Sequence, residues 1–249
     1  MRLQKLIESV SPLNETAMNA ARRRQAQLAK PPGSLGRLEE LSIQLAGITG
    51  NVHNQIKKKH LLVFAADNGV VSEGVSSAPQ SVTLQQTINL TRAKTGASTL
   101  CKHFGCDITV CDVGVNATIK DEKVLNRKIA YGTQNIIQGS AMTREQAVQA
   151  ITTGIELAME TDSDVIDVLS KAGGFDIAAM CGAFIGCAAT RRPVVMDGFI
   201  SAVAALCAYK LCPNSVYYFI PSHASYEIGY QLAMNAMNLE CICQTKVDR

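Results

Sequence analysis

Four short apolar runs, each ending at a polar residue, constrain the fold of this chain more than any other feature. The first is LLVFAADNGV at 61–70, which passes abruptly from apolar side chains into Asp67, Asn68 and Gly69. An unbroken apolar run of this length is typical of a strand buried on both faces, as in a parallel sheet. The later runs DITVCDVGV, PVVMDGF and SVYYFIPSH carry Asp112, Asp197 and His223 at their ends. Because ligands bind at the carboxyl edge of such sheets, we expect one shared polar rim that holds the chemistry.

Segments with helical character alternate with these runs. One lies between the first two runs, at 81–105. Another begins after Thr143, which stands three residues before Gln146 in the spacing of a capping box. Strands that alternate with helices predict an α/β fold with a mainly parallel sheet flanked by helices. Residues 1–58 also have helical character, broken at KPPGS, where two prolines and a glycine block helix continuation.

The overall composition excludes several classes of protein. A net charge of +3 over 249 residues gives no indication of a nucleic-acid surface. The first ten residues are too polar for a signal peptide, and no apolar run reaches the roughly 20 residues of a membrane span. The nine cysteines include no CxxC pair, so we interpret them as reduced, small apolar side chains rather than metal ligands. We therefore expect a cytoplasmic protein that binds neither nucleic acid nor a membrane.

Two stretches of the expected rim are candidates for ligand binding. Asp197 is followed by Gly198 and a helix start, an arrangement in which a carboxylate can approach a sugar hydroxyl. Residues 222–227 concentrate hydroxyl groups where a helix begins, which suits a phosphate. The alternative is that Ser225 is simply the N-cap, and both interpretations can hold at once. Asp112 stays open between a site residue and a structural support. Since no GxGxxG, P-loop or GxSxG motif is present, these residues alone predict a small anionic ligand.

Eight strings of the sequence, in one order across nearly the whole chain, carry a family resemblance. They resemble the nicotinate-nucleotide:dimethylbenzimidazole phosphoribosyltransferases, which make the lower-ligand nucleotide of cobalamin. The strings are KPPGSLGRLEELSIQLAGITG, FAADNGVVSEGVS, PxxVTxxQxxN at 79–89, DVGV, GTQNI followed by AMTREQA, DVLSKAGGFDIAAMCGA, PVVMDGF and PSHASYEIG.

The resemblance implies a fold, an assembly and a reaction. We expect a smaller helical subdomain at 1–58, an α/β domain at 59–249, and a homodimer. The implied reaction transfers ribose phosphate from nicotinate mononucleotide to dimethylbenzimidazole, giving α-ribazole phosphate and nicotinate. A ring nitrogen attacks the ribose C1′ with inversion while a glutamate accepts the other ring proton. These two small molecules are the expected partners, and the reaction requires no metal or cofactor.

The resemblance also assigns roles to individual positions. Gln86, in the PxxVTxxQ string, matches a residue of the benzimidazole pocket. Ala78 matches a position where some members place a serine near that base. The remaining matches line the nucleotide site (Asp197 and Ser225) or the rim of the first strand (Asp67 and Asn68).

The chain departs from the family pattern in two places. Members carry a GEMG-type segment followed by NTT. The glutamate and glycines of that segment hold the ribose phosphate, and a lysine further on helps. Here SDVI runs directly into DVLSKAGGF, so we expect an internal gap near 166–167. Members also continue into an LGEG string with the glutamate base, where this chain reads CICQTKVDR. Glu227 is the nearest carboxylate that could replace that base. The alternatives are a non-catalytic benzimidazole- or nucleotide-binding relative or splice variant, pairing with a full-length subunit, and a misfolded product without function.

Overall fold

A six-stranded parallel sheet runs through the protein. The computed structural model describes residues 3–171 and 174–243. All neighbouring strands pair in parallel, in the order β3-β2-β1-β4-β5-β6. The strands are β1 (Lys59–Ala66), β2 (Cys106–Gly114), β3 (Val124–Asn126), β4 (Val165–Lys171), β5 (Val194–Met196) and β6 (Phe219–Pro221). The predicted α/β fold with a parallel sheet is confirmed.

Helices cover both faces of the sheet. In chain order they are α1 (Leu3–Ser9), α2 (Glu15–Gln27), α3 (Arg37–Thr49), α4 (Ser81–Thr91), α5 (Gly96–Phe104), α6 (Arg144–Glu160), α7 (Phe175–Ala189), α8 (Gly198–Leu211) and α9 (Ile228–Met237). The side chains of alternate residues in β1 point to opposite faces of the sheet. Leu61 and Val63 pack toward α4 and α5, whereas Leu62 and Phe64 join the larger core with α6 to α9. Among the described helices, none has both the length and the apolar character needed to cross a bilayer.

The last predicted strand is shorter than the sequence pattern suggested. The apolar run at 215–223 reads as a strand, but its first part belongs to a 3-10 helix at Pro213–Tyr218. Pro213 fixes the φ angle at the start of this turn. The Tyr218 ring is fully buried and its hydroxyl donates to the carbonyl of Ser11 at 2.9 Å. Burial of an aromatic ring therefore explains the apolar character of this part of the run.

Arg191 makes hydrogen bonds that help to join the N-terminal helices to the rest of the protein. The guanidinium of Arg191 donates to the carbonyls of Gly47 (2.9 Å) and Ile48 (2.8 Å), and to the hydroxyl of Ser11 (2.7 Å). Leu6 and Ile48 also belong to the larger core. These contacts hold α1 and α3 against the helix layer formed by α7.

Candidate active site

The carboxyl ends of four strands carry polar side chains along one edge of the sheet. Asp67 follows β1, Asp112 lies near the end of β2, Asp197 follows β5, and His223 comes two residues after β6. The parallel strand order brings these residues to one rim although they are far apart in sequence.

A cleft of about 610 Å³ opens at this rim beside β1 and α4. It contains four of the residues that the sequence singled out, Asp67, Asn68, Ala78 and Gln86. Its walls are largely apolar, with Val70, Val71, Val75, Pro79 and Val82 among them. An apolar cleft with a few polar groups is the usual form of a site for a small aromatic molecule.

Hydrogen bonds fix the polar floor of the cleft. The carboxylate of Asp67 accepts from the backbone N–H of Asn116 at 2.8 Å. The side chain of Gln80 is bonded at both its nitrogen and its oxygen, since its amide donates to the carbonyl of Asn68 (3.3 Å) and its oxygen accepts from the Asn116 side chain (3.2 Å). Gln86, by contrast, makes no side-chain hydrogen bond to any residue that the structure describes. Its amide is therefore available to a ligand.

Two glycines allow the backbone to close around this floor. A Cβ atom on Gly69 would lie 2.6 Å from the carbonyl oxygen of Thr133, so only glycine permits this approach. A Cβ atom on Gly174 would lie 2.5 Å from the side-chain oxygen of Asn68. Gly174 precedes α7, so this contact links the cleft to the end of β4. Gly173, the residue directly before Gly174, is outside the described residues.

A second polar group lies farther along the rim, at the ends of β5 and β6. One carboxylate oxygen of Asp197, Oδ1, accepts from the hydroxyl of Ser222 at 3.0 Å and lies 2.9 Å from Nδ1 of His223. The Ser222 hydroxyl is also 3.1 Å from the same ring nitrogen. A carboxylate only accepts, so Nδ1 carries a proton in this arrangement.

The neighbouring residues Ser225 and Glu227 bond to each other. The Ser225 hydroxyl donates to a carboxylate oxygen of Glu227, which is exposed. The suggestion that Ser225 caps the following helix is wrong. Glu227 occupies the N-cap position, because α9 begins one residue later, at Ile228.

The structure does not bring all the predicted residues into one cleft. Asp197 and Ser225 are absent from its lining, because β4 lies between β1 and β5 in the sheet. Two strand spacings correspond to about 10 Å. A ligand that contacts both groups therefore has to cross the end of β4, where residues 172–173 are not described.

Some residues of the rim gave no clear signal in the sequence. Asn116 and Gln80 hold the cleft floor, and Lys128 forms a buried ion pair with Asp112 at 2.8 Å. Asp112 also accepts from the N–H groups of Gly114 (3.1 Å) and Val115 (2.8 Å), which makes it a support for the turn after β2. Only the polar DVGVN ending of the second run could have indicated Asn116.

The buried cysteines have no role in this rim. Burial raises the pKa of the Cys111 and Cys187 thiols to about 12 and raises that of Cys181 as well. Such thiols are not nucleophiles near neutral pH. Within the described ranges, no cluster of three or more His, Cys, Asp or Glu residues has the arrangement of a metal site.

Comparison with known proteins identifies the family. A family model described as Phosphoribosyltransferase matches residues 10–165 and 158–248. The chain belongs to this phosphoribosyltransferase family. Several relatives carry the name nicotinate-nucleotide–dimethylbenzimidazole phosphoribosyltransferase, including one from Ruminiclostridium cellulolyticum and one from Clostridium tetani. The one from Ruminiclostridium cellulolyticum is 40% identical over 304 residues, covering 96% of this chain and 86% of the relative. The one from Clostridium tetani is 37% identical over 303 residues, covering 96% and 84%.

The fold of this family member agrees with a solved structure. The crystal structure of the enzyme of the same name from Thermus thermophilus superposes with a TM-score of 0.89 at 27% identity. The superposition covers 92% of this chain and 88% of the other. Sequence and structure comparisons therefore identify the same family.

The alignments also show a discontinuity inside this family member. The two matched segments overlap at 158–165, where α6 leads into β4. In the C. tetani alignment, 96% of 249 residues is about 239 residues, set against 303 aligned positions. About 64 positions therefore have no counterpart in this chain. The two matched segments meet at the start of the strand that separates the two polar groups of the rim.

Proposed function

We propose that this chain transfers the phosphoribosyl group of nicotinate mononucleotide to dimethylbenzimidazole, releasing nicotinate and forming α-ribazole phosphate. The observation that carries the proposal is the apolar cleft with an available amide, Gln86, on the rim of a sheet that matches this family. The bicyclic base fits such a cleft because its faces are apolar and its ring nitrogens can hydrogen-bond to an amide.

The second polar group suits the mononucleotide. Asp197 can accept hydrogen bonds from ribose hydroxyls. The N-termini of α8 and α9 have no side-chain cap, so their backbone N–H groups are available to a phosphate. The two substrates would meet across the end of β4. Alignment of two reactants in this way is a large part of catalysis in group transfer.

The chemistry also requires a proton acceptor. One ring nitrogen of the benzimidazole attacks C1′ as the bond to nicotinate breaks, and the electron pair of that bond neutralises the pyridinium nitrogen. The other ring nitrogen then loses its proton. Glu227 stays our prediction for the acceptor, because it is the carboxylate on the matching SHASYE segment.

We also propose the finer features that the resemblance implies. The enzyme would be a cytoplasmic homodimer, with residues 1–58 as a smaller helical subdomain beside the α/β domain at 59–249. Its substrates would be the two small molecules named above. The Arg191 bonds to Gly47 and Ile48 support the idea that the N-terminal helices dock as a unit.

One observation favours a second candidate function. About 64 aligned positions of a relative are absent from this chain, and the two matched segments overlap beside β4. A chain that lacks part of the rim could bind a benzimidazole or a mononucleotide without turning it over, alone or paired with a full-length subunit.

A direct assay separates the two functions. Purified protein is incubated with nicotinate mononucleotide and dimethylbenzimidazole, and chromatography follows α-ribazole phosphate and free nicotinate. We expect both products in equal amounts, above a heat-inactivated control. If the protein unfolds cooperatively and binds either substrate in calorimetry but forms no product, the transferase proposal is wrong and the binding function is supported.

A further inference from the structure

Asp197 occupies a helix-capping position but does not cap its helix. It is the residue before α8, with the extended backbone usual at an N-cap, yet its side chain accepts no bond from the first turn. Asn14, Thr95 and Thr143, at the same position of α2, α5 and α6, all make that bond. Aspartate is among the best capping residues. Another interaction therefore holds this carboxylate away from α8.

That interaction comes from the end of β6. Ser222 and the Nδ1 nitrogen of His223 both contact Oδ1 of Asp197. The backbone that carries them is itself fixed. The N–H of Ser222 donates to the carbonyl of Met196 at 3.0 Å, and the hydroxyl of Tyr230 donates to the carbonyl of His223 at 2.7 Å. Ser222 and His223 therefore form a fixed pair of donors beside Asp197.

One oxygen of the carboxylate is left for a ligand. Oδ2 of Asp197 accepts no hydrogen bond from the described residues, and 46% of the side chain is exposed. A carboxylate is only an acceptor and repels a phosphate, so the matching ligand group is a hydroxyl. The ribose hydroxyls are the neutral donors of a mononucleotide.

We propose that His223 is a positioning residue that, together with Ser222, turns Asp197 away from α8 and presents its free oxygen to the ribose hydroxyls of the mononucleotide. The inference rests on the proposed function, because that function supplies the mononucleotide. It adds a role for His223, and it explains why Asp197 makes no capping bond to α8.

The inference separates binding from stability. Without His223, the Asp197 side chain can return to the first turn of α8 and cap it. His223→Ala is therefore expected to bind the mononucleotide more weakly while melting no lower than the wild type. A histidine that only supported the fold would have the opposite signature, with a lower melting temperature and unchanged affinity in the folded fraction.

The test is calorimetric titration of the full chain with nicotinate mononucleotide alone. We expect His223→Ala to weaken binding about tenfold or more, as for a lost charge-assisted hydrogen bond. His223→Asn keeps an N–H donor near the position of Nδ1 and should recover most of the affinity. In an Asp197→Ala background, His223→Ala should have no further effect. In turnover, His223→Ala should raise KM for the mononucleotide and leave KM for dimethylbenzimidazole unchanged.

The outcomes distinguish this inference from the proposed function. If the wild type neither binds the mononucleotide nor forms product, the proposed function fails and the inference fails with it. If the wild type binds and turns over but His223→Ala binds equally well, only the inference is overturned. It is also overturned if the effect of His223→Ala persists undiminished without Asp197. If His223→Ala does not fold, two other comparisons are judged by the same criteria. One compares His223→Asn with the wild type, and the other compares Ser222→Ala with and without Asp197→Ala.

Discussion

At the scale of single residues, a buried ion pair between Lys128 and Asp112 supports the rim. Lys128 and Asp112 form an ion pair whose side chains are 12% and 2% exposed. The lysine also donates to the carbonyl of Val115 and lies 4.8 Å above the ring of Tyr131. Removing one partner of a buried pair leaves the other charge without compensation, which costs more than the pair itself contributes.

Lys128→Met is therefore expected to lower the free energy of unfolding by about 3–5 kcal/mol. The measurement is urea denaturation followed by circular dichroism. Lys58→Met is the matched control. Lys58 also pairs with an aspartate, Asp162, but both side chains are largely exposed, so this change should have little effect. Equal losses in the two variants would contradict the assignment of Lys128 as a buried support of the rim.

Gln86 gives a prediction about the cleft. Its amide is available for a hydrogen bond and has apolar neighbours, so Gln86→Leu should raise KM for dimethylbenzimidazole about tenfold, the loss of one hydrogen bond. KM for nicotinate mononucleotide should not change, because Asp197 follows β5, which is two strand spacings, or about 10 Å, from β1 beside the cleft. Gln85→Leu, at the exposed neighbouring position of α4, is the control. A change in both KM values would place Gln86 outside the benzimidazole pocket.

Glu227 is tested by removing its charge. If it accepts the benzimidazole proton, Glu227→Gln should lower kcat about a hundredfold or more with little change in either KM. Glu240→Gln changes a carboxylate that is not on the SHASYE segment and should leave kcat unaltered. Activity that survives in Glu227→Gln would exclude this residue as the base.

At the scale of elements, the close packing of α6 against α7 shapes the core under the sheet. Small residues line this contact. A Cβ atom on Gly154 would lie 1.7 Å from the carbonyl oxygen of Ala179, and one on Gly182 would lie 1.9 Å from that of Ile151. The two helices approach so closely that backbone meets backbone. Since Gly174, the residue before α7, lies beside Asn68, this packing also helps to position the floor of the cleft.

Gly154→Ala should therefore destabilise the protein although alanine is the better helix former. We expect a loss of about 1–3 kcal/mol, the usual cost of overpacking, measured by thermal or urea denaturation. Gly96→Ala in α5 is the control, because nothing lies within 4 Å of the added methyl group. That variant should be neutral or slightly more stable. A stabilised Gly154→Ala would mean that α6 and α7 are farther apart than the structure shows.

At the scale of the whole molecule, an arginine makes several of the bonds that join the N-terminal helices to the rest of the chain. Arg191 adopts a left-handed backbone conformation with φ of 54°, which is uncommon for a residue other than glycine. This conformation accompanies three hydrogen bonds to the N-terminal region. The proposed subdomain at 1–58 would be held in place by this contact, by the bonds of Asn214 to Val10 and of Tyr218 to Ser11, and by apolar residues such as Leu6 and Ile48 in the shared core.

Arg191→Lys keeps the charge but cannot make the three bonds together. We expect it to lower the free energy of unfolding by about 2 kcal/mol and to speed amide hydrogen exchange in α1 and α3 more than in β1. Arg22→Lys, on the exposed face of α2, is the control for the chemical change. Exchange that accelerates equally in β1 would show that the N-terminal helices do not open as a unit.

Much of the architecture follows from local patterns in the sequence. The apolar runs predicted β1, β2 and β5 because a strand buried on both faces needs no polar alternation. Thr143 and Gln146 predicted the start of α6, since a capping box involves residues only three positions apart. The strand prediction for 215–223 is wrong at its beginning, where the chain forms a 3-10 helix. An apolar run indicates burial, and a short buried 3-10 helix can have the same apolar composition as a buried strand.

Tertiary structure decided which of these residues meet. The sequence alone determined the parallel α/β fold and, through eight ordered strings, the phosphoribosyltransferase resemblance. Through the resemblance it assigned Ala78 and Gln86 to a benzimidazole pocket and Asp197 and Ser225 to a nucleotide site, but it did not give the distance between the two. Strand order divided them into two groups on either side of β4, and packing directed Asp197 toward His223 rather than toward its own helix. Local propensity depends on neighbours along the chain, whereas such contacts join residues tens to over a hundred positions apart and exist only once the sheet has assembled.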